Sequence, residues 1–274
     1  MRIGENDSLV IEQRALGSVF LNRIVIFDLY LPKNVSDPAT MSLLLINDGQ
    51  DLPDMPFAAI VEQLLTSGQI LPVLCVGIHA SKDRRNEYGT AGVLDYEGRG
   101  VTAKAYQQFL LEELIPYIHD SFAIQGFHSK SIAGFSLGGL SALDTVWSHP
   151  DVFTRSGVFS GSLWWRTKAL DDDYNDATDR IMPQLIRQGE WREGLRFYFT
   201  TGSMDETADR NGNGIIDSID DTLAVIQELK DKGYREPEDI RYINYEEGRH
   251  DVATWAKALP AFLLWGWGRE RDDE

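Results

Sequence analysis

Gly134-Phe135-Ser136-Leu137-Gly138-Gly139 is the segment that most narrows what this chain can fold into. It follows a short apolar run (131–133) and precedes a helical pattern (138–149). A serine between glycines at a strand-to-helix junction predicts a sharp turn, because a side chain at Gly134 or Gly138 would clash there. Such a turn lifts the Ser136 hydroxyl above the strand end. The Leu137 amide then opens a helix and points at any negative charge developing nearby. Ser136 is therefore a candidate nucleophile and Leu137 a candidate oxyanion donor. The bland alternative is a glycine-rich turn with an inert serine.

The rest of the chain supplies a frame for that turn. Runs apolar on both faces, at 41–46 and 71–79, suit central parallel strands. Shorter runs follow at 130–133, 156–159, 195–201 and 239–245. Two β-like segments come first, at 9–16 and 23–31, and the second alternates and stops at Pro32 as an antiparallel strand would. Helical patterns fill 56–66, 101–117, 138–149, 222–232 and 252–264. In 101–117 the stripe is Tyr106, Phe109, Leu110, Leu114 and Tyr117. Strand–helix alternation from residue 41 onward predicts a mostly parallel central sheet with helices on both faces, and with the serine turn at a strand end the expected form is a single-domain α/β-hydrolase. Segment 165–194 lacks a strand and is expected as a cap or lid over the sheet's C-terminal edge.

Charge limits the partners. The formal net charge is −17, so a nucleic acid is not expected and an anionic membrane is disfavoured. Acids cluster at 171–180, 205–221 and 270–274, where solvated loops and a solvated end are the simplest reading. No apolar run approaches ~18 residues, and residues 1–10 show no signal pattern, so the expected location is cytoplasmic. The single cysteine, Cys75, lies in an apolar run and reads as a small buried hydrophobe.

A serine nucleophile needs a base, and the base needs an orienting acid. In this fold the order along the chain is serine, acid, histidine. His250 follows the last predicted strand and precedes the last helix, which is where the base belongs; a helix-capping histidine is its alternative. His119, His128 and His149 sit at helix ends or at the wrong end of a strand, and His79 could border the site. The acid is expected after the strand at 195–201. Asp205 is the choice there, with Glu206 and Asp209 as rivals. His250 would take the Ser136 proton while Asp205 fixes the imidazole tautomer.

These residues resemble the esterase family that contains enterochelin (siderophore) esterases, feruloyl esterases and related acyl-ester hydrolases. The resemblance covers about residues 40–265. Leu45-Ile46-Asn47-Asp48-Gly49-Gln50 looks like the family's strand-then-DG segment, which implies a second oxyanion donor at the Gln50 amide. Arg84-Arg85-Asn86-Glu87-Tyr88-Gly89 is similar to its R-x-x-E-[YL] stretch. Ser160-Gly161-Ser162-Leu163-Trp164-Trp165 is similar to the SGS-x-WW run of enterochelin-esterase-like members. Gly202-x-x-Asp205 and Gly248-x-His250 look like its acid and base positions. Trp164 and Trp165 either wall an aromatic or sugar-bearing acyl pocket or fill the core. Arg84 is a substrate-binding candidate, with a bracing ion pair to Glu87 the favoured reading.

One segment departs from that family. From Asp209 to Asp220, oxygen-bearing residues fall at loop positions 1, 3, 5, 9 and 12, with glycine at 6. That is calcium-loop spacing, and it resembles dockerin loops, which also place Asp at position 12. Asp209, Asn211, Asn213, the Ile215 carbonyl and Asp220 are the expected ligands of a structural calcium ion, with Asp217 acting through water. A solvated turn is the alternative. No cofactor is expected for catalysis.

The expected function is serine-dependent hydrolysis of a small acyl, aryl or sugar-linked carboxylic ester. Alternatives are an inactive carbohydrate-binding or scaffold module, a siderophore esterase, or an acyltransferase or peptidase on the same fold. An anionic ferric catecholate would be repelled by the chain's charge, and the sequence reveals no local basic patch to offset it.

Overall fold

The computed structural model describes residues 1–33, 35, 37–171 and 173–269. The acidic tail at 270–274 and Asp172 of the stretch at 171–180 lie outside the described residues. The continuous apolar runs become β4 (Ser42–Asn47) and β5 (Val73–Ile78), buried along their whole length. They are joined in parallel by β6 (Lys130–Phe135), β7 (Arg155–Phe159), β8 (Arg196–Met204) and β9 (Ile240–Arg249). The chain opens with three antiparallel strands, β1 (Arg2–Glu5), β2 (Leu9–Ser18) and β3 (Arg23–Pro32). Among the described residues the strand order is β1-β2-β3-β5-β4-β6-β7-β8-β9. The short β1 lies in a polar stretch without alternation, which carries no strand signal.

The helices are α1 (Phe57–Thr66), α2 (Arg84–Glu87), α3 (Ala103–Gln108), α4 (Ile115–Phe122), α5 (Leu137–Ser148), α6 (Asp176–Asp179), α7 (Ile181–Gln188), α8 (Asp217–Lys232) and α9 (Val252–Trp267). Strand alternation sorts the core into two layers. Leu43, Leu45 and Ile132 face α3–α5, α7 and α8. Leu44, Ile46 and Ala133 face α1 and α9. Cys75 is buried in the second layer, as its apolar setting implied.

The helix expected over 101–117 is interrupted by a π-turn at Phe109–Leu114. Pro116, two residues beyond it, has no amide hydrogen to donate to the preceding turn. Segment 165–194 carries α6 and α7. Ile181, Met182 and Ile186 sink into the core, and Arg180 donates to Asp221 on α8 at 2.7 Å. No helix among the described residues is long and apolar enough to cross a membrane.

The strand order has a consequence for function. The chain leaves β4 for β5 on one side, then crosses back to β6 on the other. The crevice between the C-terminal ends of β4 and β6 is a topological switch point, where open α/β sheets bind ligands. The Gly134–Gly139 turn and the Asp48-Gly49-Gln50 segment both stand there.

Candidate active site

Ser136 is the single residue between β6 and α5, with φ 54° and ψ −122°. A non-glycine residue pays for positive φ, and such strain concentrates at functional turns. Its neighbours must be glycine: a β-carbon on Gly134 would overlap the Gly138 carbonyl, and one on Gly138 would lie 2.6 Å from Asp48 Oδ2. The Ser136 amide donates to the Phe159 carbonyl at 2.9 Å, and the Ser136 carbonyl accepts from Gly139 N at 3.0 Å. The hydroxyl lies 3.3 Å from that of Ser162. Ser162 is buried and its amide also donates to the Ser136 carbonyl, at 3.0 Å.

The segment after β4 is locked against this turn. Asp48 adopts a left-handed conformation, and a β-carbon on Gly49 would overlap the backbone of Gly77. Asn47 donates to the Gly138 carbonyl at 2.8 Å and accepts from the Tyr106 hydroxyl at 2.6 Å. Asp48 N donates to the Tyr88 hydroxyl at 3.1 Å. Leu137 and Gln50 thus follow the ends of adjacent parallel strands, Ile46 and Ala133 being register partners. The Gln50 side chain turns outward and accepts from Ala80 N at 2.9 Å.

Arg84 corrects one expectation. It does not pair with Glu87. Its Nε and Nη2 donate to the two Asp48 carboxylate oxygens, each at 2.7 Å, and Nη2 also reaches the Phe135 carbonyl at 3.3 Å. Glu87 is buried against β3 instead, where Arg23 donates to both of its oxygens at 2.6 Å. Arg84 still braces a loop, but the loop is that of Asp48.

Asp205 and His250 come together through a strand pair. Met204 and Arg249 are register partners at the ends of β8 and β9, and Asp205 and His250 are the first residues beyond those ends. Asp205 Oδ2 accepts from Gly202 N at 3.0 Å, while Oδ1 is buried without a donor. The His250 ring packs edge-on against Trp255, centroids 5.2 Å apart. Although His250 is exposed overall, the water it loses there lowers its pKa below the usual 6.5; Asp205 pulls it up and Arg84 pushes it down. Among the described residues no hydrogen bond links Ser136, His250 and Asp205. The cap of α9 is Asp251, which accepts from Thr254 N at 2.8 Å, so His250 is not the capping residue.

The rivals are placed differently. Asp209 accepts from Asn213 N and Gly214 N inside the inserted loop. Glu206 lines a neighbouring groove, with its pKa raised chiefly by burial. His79 is held by Asp28 at 2.8 Å, His119 by the Ile124 carbonyl at 2.7 Å and His149 by Gln107 at 3.1 Å.

Sequence reasoning missed Trp255 and gave Ser162 no role. Trp255 stacks on Phe135 at 5.2 Å and donates to Ser160 Oγ at 3.1 Å. It therefore ties the histidine to the serine turn. The only sequence signal for Ser162 is the SGS run itself.

The tryptophan pair divides. Trp165 is 1 % exposed and packs under Gly89 and Gly100, so of its two readings, pocket wall or core filler, it is core. Consecutive residues cannot both face outward where one must seal the core. Trp164 lines a groove of about 300 Å³ with Tyr96, Arg99, Arg166, Glu206 and Arg210. Three arginines distant in sequence thus meet in one groove, together with the acids Glu206 and Asp217.

In the inserted loop, Asn211 Nδ2 donates to Asp220 Oδ2 at 2.8 Å, Asn213 Nδ2 reaches Asp220 Oδ1 at 3.4 Å, and Ile215 N donates to Asn213 Oδ1 at 2.8 Å. The side chains picked out by spacing therefore converge. Turning the two amides about their terminal bonds presents oxygen in place of nitrogen. Among the described residues no group of three or more His, Cys, Asp and Glu side chains forms a metal centre.

Comparison with known proteins agrees with this architecture. The protein YbbA of Bacillus subtilis, itself uncharacterised, is 24 % identical over 252 residues, 89 % of this chain and 93 % of its own. A ferulic acid esterase superposes with a TM-score of 0.68 at 18 % identity, covering 95 % of this chain and 98 % of that one. The siderophore hydrolase EstB from Aspergillus nidulans superposes with a TM-score of 0.72 at 16 % identity, covering 99 % and 98 %. At such identities the superpositions show a shared fold alone. The family model described as "Putative esterase" matches residues 18–265, and the chain belongs to that esterase family.

Proposed function

We propose that the protein is a serine carboxylic-ester hydrolase working through an acyl-enzyme on Ser136. The observation that carries this reading is the orphaned Asp205 Oδ1, buried beside the strand-end position of His250. A buried carboxylate oxygen without a donor is costly, and an imidazole N–H is the partner the triad chemistry supplies.

The steps follow from that assignment. Ser136 Oγ turns from Ser162 toward His250. His250 accepts its proton as Oγ attacks the ester carbonyl, forming a C–O bond and a tetrahedral oxyanion. The Leu137 and Gln50 amides donate to that oxyanion, each contributing about 3 kcal/mol by precedent. His250 then protonates the departing alkoxide as the C–O bond to the alcohol breaks. Water, deprotonated by His250, attacks the acyl-enzyme, and His250 returns the proton to Ser136 Oγ as the acyl C–O bond breaks and the acid leaves. Asp205 holds the imidazole tautomer and stabilises the imidazolium throughout.

The substrate class is a small acyl, aryl or sugar-linked ester that reaches the groove beside Trp164. The ferulic acid esterase of similar fold is consistent with an aromatic component. The test is turnover of p-nitrophenyl butyrate with labelling by a fluorophosphonate. Wild type should react with both, at Ser136. A folded Ser136→Ala variant that keeps its turnover would sink the assignment.

A further inference from the structure

The groove beside Trp164 contains an arginine, Arg166, without a carboxylate partner among the described residues. Arg99 donates to Asp95 through Nε at 2.6 Å and pairs with Glu97 at 3.0 Å. Arg210 pairs with Asp176 at 2.7 Å, with Asp217 at 3.3 Å and with Asp221. Among the described residues no carboxylate pairs with Arg166, and its buried Nε has no acceptor. In a chain of net charge −17 an arginine in a groove would readily find an acid. This one is surrounded by rings instead: its guanidinium carbon lies 4.8 Å from the Tyr96 centroid, 5.6 Å from Trp164 and 5.9 Å from Tyr174.

A guanidinium resting on aromatic faces keeps its N–H edge for a planar, bidentate acceptor. The groove is also next to the candidate chemistry. Trp164 is two residues from Ser162, which touches Ser136. Glu206, on the same groove, follows Asp205. We propose that Arg166 anchors a carboxylate carried by the substrate, so that the enzyme prefers esters with a free carboxylate remote from the scissile bond. This rests on the ester-hydrolase reading above. Asp217 is already paired with Arg210, and burial makes Glu206 easier to neutralise.

The test compares matched ester pairs. On the acyl side, p-nitrophenyl hemiglutarate is set against p-nitrophenyl pentanoate. On the alcohol side, 4-carboxyphenyl butyrate is set against 4-carbamoylphenyl butyrate. The expected result is a kcat/KM ratio of charged to neutral ester of roughly ten or more for one pair, the size of one charge-assisted bidentate contact. That ratio should collapse toward one in Arg166→Gln, recover partly in Arg166→Lys, and fall in 1 M NaCl for the wild type. The salt arm keeps the idea exposed even where the variants fail to fold. Ratios at or below one for both pairs would overturn it, as would a preference that Arg166→Gln leaves intact. Failure to hydrolyse any of the four esters would instead count against the ester-hydrolase reading itself.

Discussion

Gly202 and Gly248 meet backbone to backbone, so closely that a β-carbon on Gly202 would overlap the Gly248 carbonyl. The same β-carbon would lie 2.8 Å from Asp205 Oδ1. One contact therefore sets the spacing of the two loops that carry the candidate acid and base. Gly202→Ala should cost ~1–3 kcal/mol of stability by overpacking. It should also lower kcat by tenfold or more, on the order expected when catalytic groups are displaced by about 1 Å. Thermal melting and steady-state kinetics on one preparation check both. A stability loss with unchanged kcat would show that the spacing is not what the reaction needs.

Three acids compete for one role in the sequence, and their different placements lead to different expectations. Asp205→Asn should reduce kcat by about 10⁴-fold through loss of the correct imidazole tautomer. Asp209→Asn should leave kcat within about tenfold of wild type, because its oxygens serve the amides of Asn213 and Gly214. Glu206→Gln should move KM more than kcat, since Glu206 lines the groove. A larger kcat loss at Glu206 than at Asp205 would transfer the role.

The pH profile follows from His250. Desolvation favours its neutral form, so its folded pKa lies below 6.5. A base must be neutral to accept a proton. The acid limb of kcat/KM should therefore have its midpoint below pH 6.5, with full activity by neutral pH. A midpoint above 6.5 would mean that the Asp205 attraction outweighs the desolvation. The stability linkage has the same sense: the unfolded chain binds this proton more readily, so this group's contribution rises with pH toward 6.5.

Much of this architecture was legible because it rests on backbone constraints. A serine between obligatory glycines and apolar runs buried on both faces leave direct marks in the sequence. His250 and Asp205 could be named as candidates because strand ends order them along the chain. What was missed depends on side chains that meet only in three dimensions. Arg84 had two acids within reach, and only the placement of α2 chose Asp48. Trp164 and Trp165 are adjacent and identical, and burial alone distinguishes them. The arginine groove draws on residues 99, 166 and 210, which no local pattern connects.

The loop at 209–220 makes a separate prediction. Its candidate ligands converge on Asp220, and α8 begins inside the loop at Asp217. A cation bound only by the folded state, at a hundred times its Kd, adds about 2.7 kcal/mol. That corresponds to a melting temperature higher by roughly 5–10 °C for a chain of this size. Melting in 1 mM CaCl₂ against EDTA reads it, and Asp209→Ala with Asp220→Ala should abolish the shift. Identical melting with and without calcium would reduce the loop to a solvated turn.

Asp144 gives the last prediction, on stability rather than chemistry. It lies buried in α5, and its Oδ2 accepts from Ala91 N at 2.9 Å and Gln107 Nε2 at 2.7 Å. Among the described residues no cation pairs with it. Burial pushes its pKa from 3.8 up to about 6, against the pull of those two hydrogen bonds. Between these values the folded state binds the proton more tightly than the unfolded state. Its stabilising contribution is thus complete below about pH 4 and is lost as pH rises through 6. The shift corresponds to ~3 kcal/mol. An asparagine oxygen in place of Oδ2 keeps both hydrogen bonds without the charge. Asp144→Asn should therefore raise the urea midpoint at pH 8 and do little at pH 4. The protected segment carries Tyr96 and Arg99 of the groove, so hydrogen exchange at Ala91 should slow in the variant at pH 8. A variant destabilised at both pH values would show that the ionised carboxylate is stabilising the segment around Ala91 and that its burial costs less than its hydrogen bonds return.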